Sequence, residues 1–505
     1  VQVSPLRSAI NTMKSISSLL RAKFGPKVTR EDRRHALRVT LAASAGLLLS
    51  GPAALARRAG AGKSVVVVGA GFAGLAAAHE LTSAGYDVTV IDARNRVGGR
   101  VLSVKDFVPG RNIEAGAELI GSNHPAWVAY AEKFGLEFLD VSEDAESDFP
   151  IVLGGKLLTF EESAKLWEEL EEAHALMNDD ARPINADEPW KSPNAEALDK
   201  RSLKDWIDAQ QISDRCRDVL VLENAANNGV DNARASYLGM LTAVKGGGIE
   251  KYWSDSEVYR CKGGNQQLAQ KLSEPFKQRL VLGLAVTEIA PKGSGMMVTC
   301  KDGRTIECDD VILAVPPTTW KKIDLKVGLP ASLMPQMGIN VKYLTHVKRR
   351  FWKDTNLSQY ALSDGDVAMT WDGTDGVTEP GGDENACLTV FAGAAAAEAA
   401  RNRTPEERTA EYGRELEAMY KGFGENRVAS RWMDWPSDPW CLAGYSFPAP
   451  GQVTTVGPAL AKGVGRLHFA GEHCSYKFVG YMEGGLQSGI AAARRIAARD
   501  GVTLR

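Results

Sequence analysis

Four β-branched residues in a row, Val65 to Val68, lead into a glycine turn and an alanine-rich run in "VVVVGAGFAGLAAAHEL". An unbroken apolar quartet predicts a strand buried on both faces, and the run after Gly74 predicts a helix. "YDVTVIDA" alternates into a second strand that ends at Asp92. "VTCKDGRTIECDDVILAVPP" alternates through a hairpin around Asp302-Gly303 and stops at Pro316-Pro317. Helical periodicity runs through "TFEESAKLWEELEEAHALM", where the acidic run Glu168 to Glu172 predicts a solvated helix face. "GRLHFAGEHCSYKFVGYMEGGLQSGIAAARRI" predicts a strand over Leu467 to Ala470, a turn at Gly471-Glu472 and a glycine-punctuated helix from near Glu483. No internal repeat or long low-complexity linker interrupts these elements.

Strand, glycine turn and helix in that order give Gly69, Gly71 and Gly74 separate tasks. These are a tight turn, close approach of backbone to a pyrophosphate at the helix N-terminus, and close helix–strand packing. Asp92 ends the second strand at the spacing where a carboxylate takes a ribose hydroxyl. A second glycine pair, Gly98-Gly99, followed by Arg100, adds small residues and a cation. A nicotinamide dinucleotide needs neither there, whereas an extended flavin dinucleotide does, so the pattern favours FAD over NAD.

The 505 residues suffice for two domains with sizeable cores. A net charge of -3 gives no electrostatic case for nucleic acid. The seven cysteines include no C-x-x-C pair and the seven histidines no H-x-x-x-H spacing, so neither a disulfide framework nor a metal centre is expected. The N-terminal "EDRRHALRVTLAASAGLLLSGPAALA" has a basic segment at Arg33, Arg34 and Arg38, an apolar run and an Ala54-Leu55-Ala56 ending, the layout of a signal peptide. Arg33-Arg34 resembles a twin-arginine export signal, although Asp32 and Ala36 depart from that pattern. Residues 1–62 are therefore set apart as a targeting segment that exports the protein, the alternative being an uncleaved amphipathic helix. The apolar run is too short for a membrane span.

"GAGFAGL", "DARNRVGGR", "FAGEHCS" and "GYMEGGLQSG", in this order, resemble the flavin amine oxidases, which include monoamine, polyamine and L-amino acid oxidases; the likeness spans about residues 63 to 497. The resemblance implies an α/β FAD-binding Rossmann-like domain of the glutathione-reductase type, assembled from residues 63–124, 258–320 and 430–505. A mixed α+β substrate domain is implied by 125–257, which is helix-rich, and 321–429. It also implies noncovalent FAD, because Gly444 stands where monoamine oxidases with attached flavin carry cysteine. The cofactor-binding residues so implied are Gly69, Gly71, Gly74, Asp92, Ala93, Arg94, Gly99, Arg100, Gly116, Ala117, Glu118, Val286, Gly471, Glu472, Gly480, Tyr481 and Met482. Partners are a small amine or amino acid and O2, and a homodimer is expected.

By the same resemblance Lys322, with Lys321 as its neighbour alternative, stands where a lysine reaches the flavin N5 through a water. Tyr445 and Tyr481 match two aromatic walls that flank the amine, exclude water and orient it. L-amino acid oxidases of this kind carry a carboxylate-binding arginine just after the "GA" of "IEAGAELIGSNHP", where this chain has Glu118 and Leu119. Trp371 replaces the companion tyrosine. The exported, monoamine-oxidase-like layout nonetheless leads to the expectation of an L-amino acid substrate, its carboxylate held elsewhere, for instance by Arg260. The runner-up is a monoamine or polyamine oxidase, in which Glu118 faces a second cationic group; the remaining reading of Glu118 is a hydrogen-bonded acid near the diphosphate. Remoter alternatives are a flavin desaturase or isomerase and a nonenzymatic FAD-binding module.

Overall fold

The computed structural model describes residues 20–21, 23–25, 30–44, 62–141, 147–330, 332–374 and 382–502. Among these, five short apolar strands form one parallel sheet in the order Leu467–Phe469, Asp310–Leu313, Ser64–Val68, Asp87–Asp92, Leu280–Leu282. Val65 to Val68 are buried, as a central strand covered on both faces requires. The helix Phe72–Ser83 packs against the C-terminal helix Met482–Arg499 through small residues. At Gly489, a Cβ would stand 2.1 Å from the carbonyl oxygen of Ala73. This sheet therefore draws on three distant stretches of chain.

The hairpin at Asp302-Gly303 joins Gly295–Cys300 to Thr305–Cys308, with Gly303 at φ 86°. Asp324–Leu325 pairs with Val286–Lys292 in the same small sheet, so that sheet reaches four to five residues past position 320. A seven-stranded sheet, running from Arg427–Asp434 through Asn340–Arg349 to Lys156–Leu157, forms the second layer system. Its edge strand likewise crosses the expected boundary at 429/430. The helices Phe160–Ala181 and Asp214–Asn228 pack beside it around Trp206, Leu220 and Tyr237. In the first of them Glu168 and Glu172 are exposed, while Glu169 accepts the Ser213 amide at 3.0 Å. No described helix is long and apolar enough to cross a membrane.

Residues 20–44 do not stand apart from the fold where they are described. Leu20 is buried in the helical core, and the helix Arg30–Ser44 lies on Pro125–Phe134. Arg33 is buried and donates from Nε to Asp140 at 3.0 Å, a pairing that offsets the cost of taking its charge out of water. The Ala54-Leu55-Ala56 ending lies outside the described residues.

Glu483 joins two distant helices. It is fully buried in the first turn of Met482–Arg499, and its two oxygens accept the amides of Ala126 (2.8 Å) and Trp127 (2.9 Å). These belong to the N-terminus of Pro125–Phe134, whose N-cap residue His124 supplies no side-chain cap. The acid thus caps a helix from across the fold and complements its dipole. Glu483→Ala strands both amides in the core, and the expected loss of stability is about 3 kcal/mol. Urea unfolding with and without the substitution checks this; an unchanged midpoint contradicts the capping role.

Candidate functional site

One long cavity runs between the parallel sheet and the seven-stranded sheet. It begins at the end of Ser64–Val68. Gly69 turns the chain at φ 112°, where a Cβ would press on the Ala314 carbonyl at 2.7 Å. Gly71 then caps the helix Phe72–Ser83 without a side chain. A Cβ on Gly71 would meet only the Cα of Gly99, at 3.9 Å, so the space in front of this helix N-terminus is left to the cavity. Gly71 and Gly98 pair as a β-bridge, which closes the second glycine turn onto the first. Gly74 does not line the cavity. Its Cβ would stand 1.9 Å from the Gly69 carbonyl oxygen, which places it in the packing of helix on strand.

Apart from Lys321 and Arg260, every other expected site residue lies on the cavity wall. Asp92 is fixed by two backbone donors, Ala70 N to Oδ2 and Arg94 N to Oδ1, both at 2.7 Å. Ala93 and Val286 line the same end, and Arg94 pairs with Asp438 at 2.5 Å. Further along, Arg100 donates to Glu472 Oε1 at 2.9 Å and to the Gly444 carbonyl at 2.7 Å. Glu472 also accepts the Ser446 hydroxyl (2.6 Å) and the Gly480 amide (2.9 Å). Burial works against this carboxylate, but Arg100 and these donors hold it below its usual range. The network joins the first stretch of the parallel-sheet unit to the last. Gly116, Ala117, Gly471 and Met482 complete this wall.

Lys322 reaches the wall, but its exposed side chain donates to the Pro439 carbonyl at 2.5 Å and lies over the Trp440 ring. The buried ammonium is that of Lys342, which donates to Glu118 Oε2 at 2.6 Å, the Gly116 carbonyl at 2.8 Å and the Glu114 carbonyl at 3.2 Å. The missed signal was a lysine inside Asn340–Arg349, where eight consecutive residues are buried. Glu118 also pairs with Arg260 at 2.7 Å and accepts Trp371 Nε1 at 3.0 Å. Arg260 itself donates to the carbonyls of Asp372 and Thr374 and does not line the cavity. Glu118 is thus an acid held between two buried cations, and the clamp suggested for Arg260 is not assembled.

Tyr445 and Tyr481 come together across Gly480, whose absent side chain admits the Tyr445 ring; a Cβ there would approach Cδ2 at 3.0 Å. The Tyr445 hydroxyl donates to the Asn227 carbonyl (2.5 Å) and accepts from Asn340 Nδ2 (3.1 Å). Tyr481 stands edge-on to His124 at 5.3 Å, and Glu257 and Tyr252 act on its phenol. Burial first, and Glu257 next, push both phenols far up, so both rings are neutral walls at physiological pH. Glu223, Asn224, Asn228 and Glu257 also line this part of the cavity, and pattern reading had singled out none of them.

Residues 72–497 match the model of the flavin containing amine oxidoreductase family. The flavin-containing amine oxidase A of Sus scrofa is 28% identical, over 87% of this chain and 86% of its own length. The flavin-containing amine oxidase B of Bos taurus is 28% identical, over 86% and 85%. Among solved structures, a double mutant of putrescine oxidase aligns with TM-score 0.79 and 26% identity, covering 86% of this chain and 99% of that one. The cyclohexylamine oxidase of Brevibacterium oxydans aligns with TM-score 0.78 and 25% identity over the same shares. The cavity suits an extended flavin dinucleotide. Side-chain-free space faces an uncapped helix N-terminus at one end, and a long wall of small residues leads to the aromatic pair at the other.

Proposed function

The chain belongs to the flavin-containing amine oxidoreductases and is an FAD-dependent amine oxidase; from that premise we propose that its substrate is an amine without a carboxylate on the reacting carbon. The observation that carries this is the commitment of Lys342 and Arg260 to Glu118. An α-carboxylate beside Tyr445 and Tyr481 needs a cation or several donors, and the buried cations Lys342 and Arg260 already serve an acid of the chain, as Arg100 serves Glu472. Such burial without partners costs several kcal/mol. The named relatives, monoamine, putrescine and cyclohexylamine oxidases, support an amine over the L-amino acid first expected.

Gly71, Asp92, Arg100 and the Gly99 turn would hold the FAD, which would supply the acceptor for the hydride from the carbon beside the amine, with O2 as the final oxidant yielding peroxide. The chain's own residues position the substrate. The rings of Tyr445 and Tyr481 flank the nitrogen, exclude water and favour the uncharged amine with its lone pair available. Lys342 places a positive charge at the cavity wall where it favours developing negative charge, and Glu118 fixes that ammonium.

Matched pairs test the substrate reading: L-phenylalanine against phenethylamine, and L-lysine against cadaverine, with peroxide formation as the readout. In both pairs the amine is expected to have the higher kcat/KM, by about 100-fold if the stranded carboxylate costs about 3 kcal/mol. Higher kcat/KM for the L-amino acid in either pair restores the amino acid reading.

A further inference from the structure

We propose that Glu223 and Glu257 form an ammonium-binding subsite in the amine cavity, so that a diamine, with a second protonated nitrogen, is the preferred substrate. This inference rests on the amine reading above.

The helix Asp214–Asn228 carries the argument. It buries Cys216, Val219 and Leu220 in the apolar core, as an ordinary packed helix does. Yet it turns Glu223, Asn224, Asn227 and Asn228 to the cavity, at spacings of one, four and five residues that share one helix face. Asn224 donates to the Leu220 carbonyl at 2.8 Å, but a buried polar atom left without a partner is costly unless a ligand meets it. Glu223 is 5% exposed and Asn228 7% exposed, and the Asn228 amide nitrogen has no hydrogen-bond partner among the described residues. Rotation of that amide offers an oxygen to a donor instead.

The second acid comes from another element. Glu257 follows the short helix Tyr252–Asp255, lines the same cavity and acts on Tyr481 at its phenol oxygen, the end of the ring away from the face that receives the amine. After burial, the charges of Glu257 and Glu223 are what push the Tyr252 phenol up, so both acids act on one side of the cavity. The intervening wall is apolar, with Met240, Trp253 and Phe391, and suits a methylene chain. The cations on the cavity wall have partners elsewhere: Arg94 with Asp438, Arg100 with Glu472, Lys342 with Glu118 and Lys322 on the Pro439 carbonyl.

The chemistry agrees with this placement. Oxidation needs an uncharged nitrogen at the aromatic pair, and carboxylates beside that nitrogen would hold it protonated. With a diamine, the acids engage the far ammonium, whose positive charge lowers the proton affinity of the near amine through the short chain. One charge recognised at a distance thereby favours the reactive form of the other.

The test uses the holoenzyme and three probes of similar length: cadaverine, pentylamine and 5-aminopentanoate. Wild type is expected to rank them in that order, with kcat/KM for cadaverine at least tenfold above pentylamine. Glu223→Gln and Glu257→Gln, each checked for flavin content and melting temperature, are expected to lower the cadaverine-to-pentylamine ratio at least fivefold, chiefly through KM for cadaverine. Pentylamine equal to or better than cadaverine in wild type overturns the subsite without any variant, and leaves the amine reading intact. A ratio unmoved in both folded variants also overturns the assignment to these two acids. Flavin reduced by L-lysine but by neither amine overturns the amine reading itself, and the subsite with it.

Discussion

Lys342→Met is expected to lower kcat/KM for the preferred amine by on the order of 100- to 1000-fold, the usual cost of removing one preorganised electrostatic group from a dry site. Methionine keeps most of the volume but removes the ammonium that Glu118 and the carbonyls of Glu114 and Gly116 hold in place. The same change leaves Glu118 with one cation fewer, so stability falls as well. The double substitution Lys342→Met with Glu118→Gln separates the two effects: neutralising the stranded acid recovers melting temperature, while turnover stays low. Lys322→Met provides the contrast, because its ammonium rests on the Pro439 carbonyl at the exposed edge of the cavity. Its loss is expected to be the smaller by at least tenfold, taking removal of an exposed group as the milder change. Stopped-flow measurement of the reductive and oxygen-dependent half-reactions decides between them. Full turnover in Lys342→Met, or the larger loss in Lys322→Met, returns the role to the lysine first expected.

Gly74→Ala is expected to abolish FAD retention by disrupting the fold around the first glycine turn. The new Cβ would stand 1.9 Å from the Gly69 carbonyl oxygen and 3.1 Å from Val67 Cγ1. The first neighbour is backbone at the end of the central strand and cannot swing aside. Alanine is intrinsically preferred in a helix by about 1 kcal/mol, but overpacking against fixed backbone costs about 3 kcal/mol, and the clash wins. Gly71→Ala should behave differently. Its Cβ meets only Gly99 Cα at 3.9 Å, and its φ of -76° suits any residue, so the apoprotein remains stable while FAD loses its close approach. Melting temperatures of the apoproteins and FAD titration distinguish the two. An apoprotein of Gly74→Ala as stable as wild type contradicts the packing role, and wild-type FAD affinity in Gly71→Ala contradicts the cradle.

Local pattern alone determined much of the parallel-sheet unit. The quartet Val65 to Val68 is buried on both faces because unbroken β-branched residues suit nothing else, and Gly69, Gly71 and Gly74 each serve a requirement visible within six residues. The hairpin at Asp302-Gly303 and the helix from Met482 follow from equally short-range signals. The aromatic pair was legible through motif resemblance, since Tyr445 and Tyr481 sit in segments whose neighbours are themselves distinctive.

What only the tertiary structure decided is how charges are partnered. Glu118 reads locally as an acid beside a glycine turn, open to a substrate cation or to a hydrogen bond. Its partners Lys342 and Arg260 lie 224 and 142 residues away, and they reverse its meaning from an available acid to a neutralised one. Lys342 is itself buried because Asn340–Arg349 is covered by strands Glu384–Gly393 and Arg427–Asp434 on either side, which its own residues do not reveal. Arg33 belongs to a leader-like pattern in sequence, yet Asp140, 107 positions on, draws it into the body of the protein. Glu223 and Glu257 are two ordinary acids until the folds of two helical stretches place both on one cavity. Hydrophobic periodicity acts over a few residues and is written in the chain, whereas the fate of a buried charge depends on the counter-charge and dielectric that folding brings to it, and those come from anywhere in the sequence.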